Sequence, residues 1–395
     1  MGNSIITRRQ LLRRGALLAG GLPFAGSLLD KIQASPLVTN PVVPLIHGTE
    51  AWTDKDVALN APEVLKARLF ANENPFGPSD KAKKAIMDAL PTSYQYPFRS
   101  MGDLTKKIAD FEGVKQENIL MASGSSPLLM AAALTYSKPG GNIITGDPSY
   151  EDLPSKATRV GEKWVKVPLT ADFKLDLEAM EKAIDDNTGL VYICNPNNPT
   201  ATVLDTAKLK SFCERVSKRV PVFIDEAYID YLPDPQGTTL IPMVNTGANI
   251  IVARTFSKLY GFAGLRIGYI VTQPETIKKL SVHTEASMSI TATTLQAALA
   301  SYQDREFLDA ALKKTLASKD YLYEVLKKEG YTYVPSSTNF VLFPIKMEGK
   351  QFTDEMMKRG VGVRFWKFNN KEWCRVSIGR MDEMEAFAAA FKELS

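Results

Sequence analysis

Histidine is nearly missing from this chain: His47 and His283 are the only two among 395 residues. No His-x-x-x-His or Cys-x-x-Cys spacing occurs, which argues against a zinc site, and no metal ligands are assigned. A Ser-His-Asp triad is equally hard to assemble, so both histidines read as surface or interface side chains. Cysteine is scarce too. Cys194, Cys213 and Cys374 are odd in number and far apart, and Cys194 and Cys374 lie in strand-like apolar runs. Free buried thiols are expected there, not a disulfide framework. No internal repeat or low-complexity tract stands out. The charge excess is small, with 48 Lys and Arg against 44 Asp and Glu. Residues 1–34 hold five Lys/Arg against the single acid Asp30, so the rest of the chain is near neutral. It carries no electrostatic footprint for nucleic acid or anionic lipid.

Long apolar runs are also lacking. The stretch Gly15 to Leu29 is Gly-rich and weakly apolar, too short and broken for a membrane span of about 20 residues. No stable membrane insertion is expected. Just before it stands Thr7-Arg8-Arg9-Gln10-Leu11-Leu12-Arg13-Arg14. Twin arginines followed by an apolar pair resemble a bacterial twin-arginine signal, and the apolar stretch disfavours a merely disordered basic tail. Residues 1–34 are read as that signal, cleaved after Ala34, with a periplasmic destination.

What is present points to a large α/β protein. A chain of 395 residues that is 45% hydrophobic can bury a large core and form more than one domain. Apolar strand-like runs alternate with helical stretches such as Lys278 to Leu280 and Gln296 to Ser301, the pattern of a mainly parallel sheet. Beyond about Thr291 the chain becomes strongly helical, then returns to strands at Asn339–Phe343 and Trp373–Ile378. The expected organisation is an arm over 35–70 joining a small domain, a large domain over 71–290, and a small α+β domain over 291–395.

The most telling segment is Thr255-Phe256-Ser257-Lys258-Leu259-Tyr260-Gly261-Phe262-Ala263-Gly264-Leu265-Arg266. A lysine leaving an apolar strand is either a solvated strand end or an amine held dry for Schiff-base chemistry. Ser257 and Arg266 favour the second, because a hydroxyl and a guanidinium together suit a phosphate ester. Pyridoxal phosphate joins an aldehyde for the lysine to a phosphate for the arginine. Three upstream segments fit the same cofactor. The strand Val220–Ile224 ends in Asp225, either an ordinary strand terminus or a carboxylate that keeps a pyridine nitrogen protonated. Tyr228, three residues on, could offer its hydroxyl to the ring's phenolic oxygen. The strand Val191–Cys194 breaks into Asn195-Pro196-Asn197-Asn198-Pro199, a turn signal that makes Asn198 a second candidate donor. Ser123-Gly124-Ser125-Ser126-Pro127 reads as a small-residue turn opening a helix, where free N–H groups attract phosphate.

These motifs together resemble the fold-type I, class I/II pyridoxal-phosphate aminotransferases, and most of all their histidinol-phosphate aminotransferase branch. The resemblance also rests on Ala71-Asn72-Glu73-Asn74-Pro75-Phe76-Gly77-Pro78, Tyr96-Pro97, Pro148-Ser149-Tyr150 and Cys374-Arg375-Val376-Ser377-Ile378-Gly379. It implies an α/β fold with a large cofactor domain, a smaller C-terminal domain and a homodimer. Lys258 would bind the cofactor covalently and shuttle protons. Asp225 would pair with the pyridinium, and Tyr228 and Asn198 with the phenolic oxygen. Tyr150 would stack on the ring. The turn at Gly124, with Ser125, Ser126, Ser257 and Arg266, would hold the phosphate, which Tyr96 would reach from the other subunit. Arg375 would clamp the substrate α-carboxylate with Asn74 nearby, and Arg364 is either a second anion contact or a surface ion pair. The implied reaction is amino transfer between a small-molecule donor and a 2-oxo acid. A decarboxylase, lyase or racemase on the same scaffold, or a non-catalytic binder of the cofactor, is the alternative.

Three positions depart from the family pattern. Ala201 stands where glycine is usual after Asn198-Pro199-Thr200, so its backbone is expected to avoid positive φ. Ser126-Pro127 replaces an acidic pair, and no second aromatic follows Tyr150.

Overall fold

The computed structural model describes residues 65–395. The expected signal, its expected cleavage point and nearly all of the expected 35–70 arm lie outside the described residues. The central sheet has seven strands: β2 (Ile119–Ala122), β3 (Asn142–Asp147), β4 (Lys163–Pro168), β5 (Thr188–Cys194), β6 (Val222–Asp225), β7 (Ile250–Thr255) and β8 (Gly268–Val271). Their order across the sheet is β2-β8-β7-β6-β5-β3-β4. Only β8 runs against its neighbours. The middle strands are apolar almost throughout, as expected where helices cover both faces. Val191, Ile193, Val222, Ile224, Ile250 and Val252 are buried in one core cluster, and Tyr192, Cys194, Phe223, Ile251 and Ala253 in another, so alternate residues feed opposite faces.

Two smaller sheets follow. β1 (Ala67–Arg68) pairs in parallel with β10 (Val361–Gly362). β9 (Phe340–Ile345), β11 (Arg364–Phe368) and β12 (Lys371–Ser377) form an antiparallel sheet ordered β11-β12-β9. The strands expected at Asn339–Phe343 and Trp373–Ile378 therefore exist, each displaced by about one or two residues. A further apolar cluster joins Ala67, Leu69, Val341, Phe343, Phe352, Val376 and Phe387. The helix Arg305–Lys328 passes from one core to the next: Leu308 and Ala311 pack with the large sheet, Leu322 and Leu326 with the small one. The helix Ala292–Ser301 also packs with the large sheet, through Leu295, Ala297 and Ala298.

All three cysteines are free and buried, as their setting in apolar runs suggested. His283 is exposed. Among the described residues no helix is long and apolar enough to cross a membrane.

Ala201 overturns its expectation. Its φ is +61°, in the left-handed region. The turn leaves it no choice, since Ala201 N–H donates to the Asn197 carbonyl at 2.9 Å and Asn197 N–H to the Thr202 carbonyl at 2.8 Å. The Ser337 N–H then donates to the Ala201 carbonyl at 2.8 Å. Three hydrogen bonds outweigh a local strain of about 1–2 kcal/mol.

Candidate active site

Parallel strands deliver their C-terminal ends to one place, and here β5, β6 and β7 end side by side. The register sets Cys194 opposite Asp225, and Asp225 opposite Ala253. A cavity of about 300 Å³ opens beyond these ends. It is lined by Ser125, Ser126, Tyr150, Asn198, Asp225, Tyr228, Ser257, Lys258, Arg266, Arg364 and Arg375. Most of the residues singled out from sequence therefore meet.

Asp225 sits at the floor, 2% exposed. Its carboxylate accepts from the Tyr192 hydroxyl at 2.9 Å and from Ala227 N–H at 3.1 Å. Both partners are neutral. Burial pushes its carboxyl up to about 6, against the pull of those hydrogen bonds. The Lys258 cation is too weak an influence to reverse this, and a pyridinium in direct contact would do so.

At the opposite edge the helix Ser126–Tyr136 begins, with Ser125 as its cap residue. The Ser125 side chain makes no capping bond, so the helix does not satisfy its first N–H groups with its own cap. Gly124 has φ +90°, and a Cβ there would lie 2.1 Å from Arg266 Nη2. Only glycine lets the guanidinium rest on this loop. Arg266 Nη1 also donates to the Ser257 hydroxyl at 3.3 Å and the Ala263 carbonyl at 2.8 Å. Helix N–H groups, three serines and an arginine thus surround one end of the cavity, a cradle for a phosphate.

Lys258 reaches the cavity from the loop after β7. Its Nζ donates to the Asn72 carbonyl at 3.3 Å and lies 5.2 Å from the centre of the Tyr228 ring. Tyr228 is buried, and its oxygen accepts from Asn72 Nδ2 at 2.9 Å. Its own proton is then available to an acceptor in the cavity. Tyr150 is partly buried beside them, its phenol held neutral because burial raises it well above the usual range.

Arg375, 2% exposed, extends from β12. Nη1 donates to Asn198 Oδ1 at 2.7 Å and Nη2 to the Phe70 carbonyl at 2.5 Å. Its guanidinium lies 4.6 Å from the Trp366 ring and 5.2 Å from Phe340. With Asn198 Oδ1 engaged by Arg375, the Asn198 amide N–H groups remain as donors. Arg364 stands directly opposite Arg375 across β11 and β12, its guanidinium 4.9 Å over the same Trp366. Like charges facing each other across a strand pair are unfavourable, and an anion bound near both would relieve that.

Tyr96, expected to reach the phosphate of the other subunit, is 74% exposed and does not line the cavity of its own chain. One expectation is not met. Asn74 is buried, but its side chain is engaged elsewhere: Nδ2 donates to the Leu259 carbonyl at 2.6 Å and Oδ1 accepts from Phe76 N–H at 3.0 Å. It fastens the loop after Lys258 and does not line this cavity. Asn72 takes the place expected of it. Besides Tyr228 and Lys258, it accepts from the Ser377 hydroxyl at 2.8 Å, and Asn339 donates to its carbonyl at 3.0 Å. Its φ of +54° is a conformation asparagine tolerates better than most residues. Tyr192 was missed too, because a tyrosine inside a strand looks like core until its hydroxyl's partner is known. Cys194 and Thr255 also line the cavity without having been singled out.

The residues fit pyridoxal phosphate on three independent counts: an amine beside a phenol, a cradle for phosphate, and a buried carboxylate wanting a cation. Comparison with known proteins agrees. Residues 66–391 match the sequence profile of the family Aminotransferase class I and II. A histidinol-phosphate aminotransferase from Moorella thermoacetica is 36% identical over 377 residues, covering 93% of this chain and 96% of its own. One from Brevibacillus brevis is 33% identical over 333 residues, covering 84% and 90%. The structure of histidinol-phosphate aminotransferase from Sinorhizobium meliloti in complex with pyridoxal-5'-phosphate superposes with a TM-score of 0.80 at 26% identity, covering 90% and 97%. The cavity, its cradle and these relatives together make this chain a member of the class I and II aminotransferases, an enzyme dependent on pyridoxal phosphate.

Proposed function

We propose that the enzyme moves the amino group of an amino acid or a phosphorylated amino alcohol to a 2-oxo acid, in the manner of the histidinol-phosphate aminotransferases. One observation carries the substrate class: Arg364 and Arg375 face each other across β11 and β12 and line the cavity with Lys258. Arg375 suits the α-carboxylate shared by an amino acid and the oxo acid, and Arg364 a second anionic group.

Bound pyridoxal phosphate supplies an electron sink conjugated to the substrate's α-carbon. Asp225, its carboxylate fixed by Tyr192 and Ala227 N–H, would face the ring nitrogen and favour its proton. Tyr228 and the Asn198 amide would donate to the phenolic oxygen, and Gly124 to Ser126, Ser257 and Arg266 would hold the phosphate. Lys258 Nζ is the base placed to take a substrate α-proton and give it back, in either half-reaction. A decarboxylase, lyase or racemase would need no oxo acid. Purified protein should turn over amino donors only with an oxo acid present, and a panel of donors against several oxo acids tests this. Turnover without an oxo acid would reverse the reading.

The active form is proposed to be a homodimer. Tyr94, Tyr96 and Phe98 are exposed large aromatics on one segment, and a second copy would cover them while offering Tyr96 to the neighbouring phosphate cradle. Export in folded form by the twin-arginine route is proposed from Arg8-Arg9 and Leu11-Leu12. Replacing both arginines by lysine should leave active enzyme in the cytoplasm, and unchanged periplasmic activity after fractionation would refute export.

A further inference from the structure

Phe173 is a bulky residue in a conformation suited to glycine. It lies in the loop after β4 with φ at +61°, in the left-handed region. The turn holds it there: Phe173 N–H donates to the Thr170 carbonyl at 3.0 Å, and Thr170 N–H to the Lys174 carbonyl at 2.9 Å. Strain of this kind persists where the surroundings over-determine it, and it points towards a function. The flanking Leu169 and Leu175 pack into the core of the large sheet. Phe173 turns the other way, into an apolar cluster built on the small antiparallel sheet around Leu342, Trp366 and Trp373. Among the described residues it is the one member of that cluster that precedes residue 330.

Its contacts close a ring around the carboxylate clamp. The Phe173 ring meets Trp373 edge-on, with centroids 5.2 Å apart. Trp373 stands opposite Trp366 across β11 and β12, and two residues before Arg375. Trp366 in turn lies 4.6 Å from the Arg375 guanidinium. On the other side, the Phe173 carbonyl accepts from the Thr202 hydroxyl at 2.8 Å. Thr202 closes the turn that carries Asn198, and Asn198 Oδ1 accepts from Arg375 Nη1 at 2.7 Å. Phe173 therefore braces both partners of that hydrogen bond, the arginine through its ring and the asparagine through its backbone. We infer that Phe173 is a positioning residue for the clamp: it fixes Arg375 against Asn198 before substrate arrives, and so sets how tightly carboxylates bind. It does not itself line the cavity. A glycine would relax the turn but would offer Trp373 no ring. The inference rests on the proposal that Arg375 takes the α-carboxylate.

The test uses cofactor-loaded protein, calorimetry with butyrate as an unreactive carboxylate, and steady-state kinetics. Phe173→Ala should weaken butyrate binding, and raise KM for donor and oxo acid, about five- to tenfold, the scale of one aromatic pair. Its kcat and cofactor affinity should stay within about twofold, because binding shared by ground and transition states moves KM alone. Phe173→Tyr keeps the ring and should bind butyrate as the wild type does. Phe173→Gly removes ring and strain together, and should be at least as stable as Phe173→Ala yet bind butyrate as poorly. Should the alanine variant fail to fold, Phe173→Leu is judged by the same criteria. Unchanged butyrate affinity in the alanine or glycine variant overturns the inference. So does a fall in kcat and cofactor affinity that matches the rise in KM, since that is the mark of a merely structural residue. Arg375→Ala separates the two readings. Butyrate binding that survives it strikes the α-carboxylate proposal, whereas binding lost there but intact in Phe173→Ala strikes Phe173 alone.

Discussion

The phosphate end of the cavity and its carboxylate end are assembled in different ways. At the first, two short motifs suffice: Gly124, Ser125 and Ser126 open one helix, and Ser257 and Arg266 lie on one loop. At the second, Arg375 is held by Phe70, 305 residues away, and by Asn198, 177 away, while Ser377 reaches Asn72 across another 305. The first end can be read locally from backbone chemistry. The second exists only after the chain has folded, because its side chains satisfy one another. Substitutions at the two ends should therefore fail differently, in function at the first and in function and stability together at the second.

The largest effect belongs to Lys258, which both ends serve. Lys258→Ala should lower turnover by about 10³-fold or more, the upper range for a positioned acid–base group. Borohydride reduction and peptide mapping of the wild type should place the cofactor on Lys258. A label on any other lysine would dismantle the site.

Asp225 comes next, and its two consequences have opposite signs. Asp225→Asn should cut turnover several hundredfold, since losing a buried charged partner costs about 3–5 kcal/mol. Stripped of cofactor, the same variant should be more stable than the wild type at pH 8. The sign follows from the carboxyl being raised, from 3.8 to about 6. Between those values the folded protein binds more protons than the unfolded chain, so wild-type stability falls as pH rises through that window. Above pH 6 the whole penalty, about 3 kcal/mol, applies, and near pH 4 it vanishes. Denaturant titrations of both proteins at pH 4 and pH 8 should show the gap opening. A constant gap would mean that Asp225 is charged and paired throughout.

Asn72 and Asn74 sharpen the contrast from within one motif. Asn72→Ala removes the donor to Tyr228 and the acceptor of Ser377, and should cost about 2 kcal/mol of stability and lower kcat. Asn74→Ala should cost similar stability, by freeing the Leu259 carbonyl, with kcat near the wild-type value. Equal falls in kcat would return Asn74 to the site.

How legible these features were follows from the same contrast. Lys258, Asp225, Asn198 and Arg266 stand at ends of apolar strands or on the loops just beyond them, where an unbroken apolar run stops abruptly and a polar residue needs a reason. The βα alternation gave the central sheet for the same cause, since parallel strands buried on both faces read as unbroken apolar runs. Asn72 could not be told from Asn74 in Ala71-Asn72-Glu73-Asn74-Pro75. Both are asparagines in an irregular segment, and their roles depend on partners at Tyr228, Leu259 and Ser377 that share no local pattern. Tyr192 was hidden for a similar reason, being one aromatic among the apolar residues of β5.

The smallest effect tests the one backbone expectation that failed. Ala201 has φ +61° and is fully buried, in a turn closed by Asn197 and Thr202. An L-residue held there carries about 1–2 kcal/mol of strain, which glycine would not. Glycine in turn loses about 0.5–1 kcal/mol through the greater freedom of the unfolded chain. Ala201→Gly should therefore stabilise by roughly 0.5–1 kcal/mol, read as a higher denaturation midpoint at unchanged slope. The turn carries Asn198, so relieving its strain should not disturb the Arg375 contact, and KM for the oxo acid should stay level. A lower midpoint would show that the buried methyl packs better than it strains, and that alanine at 201 is held by the core around it as much as by the turn's hydrogen bonds.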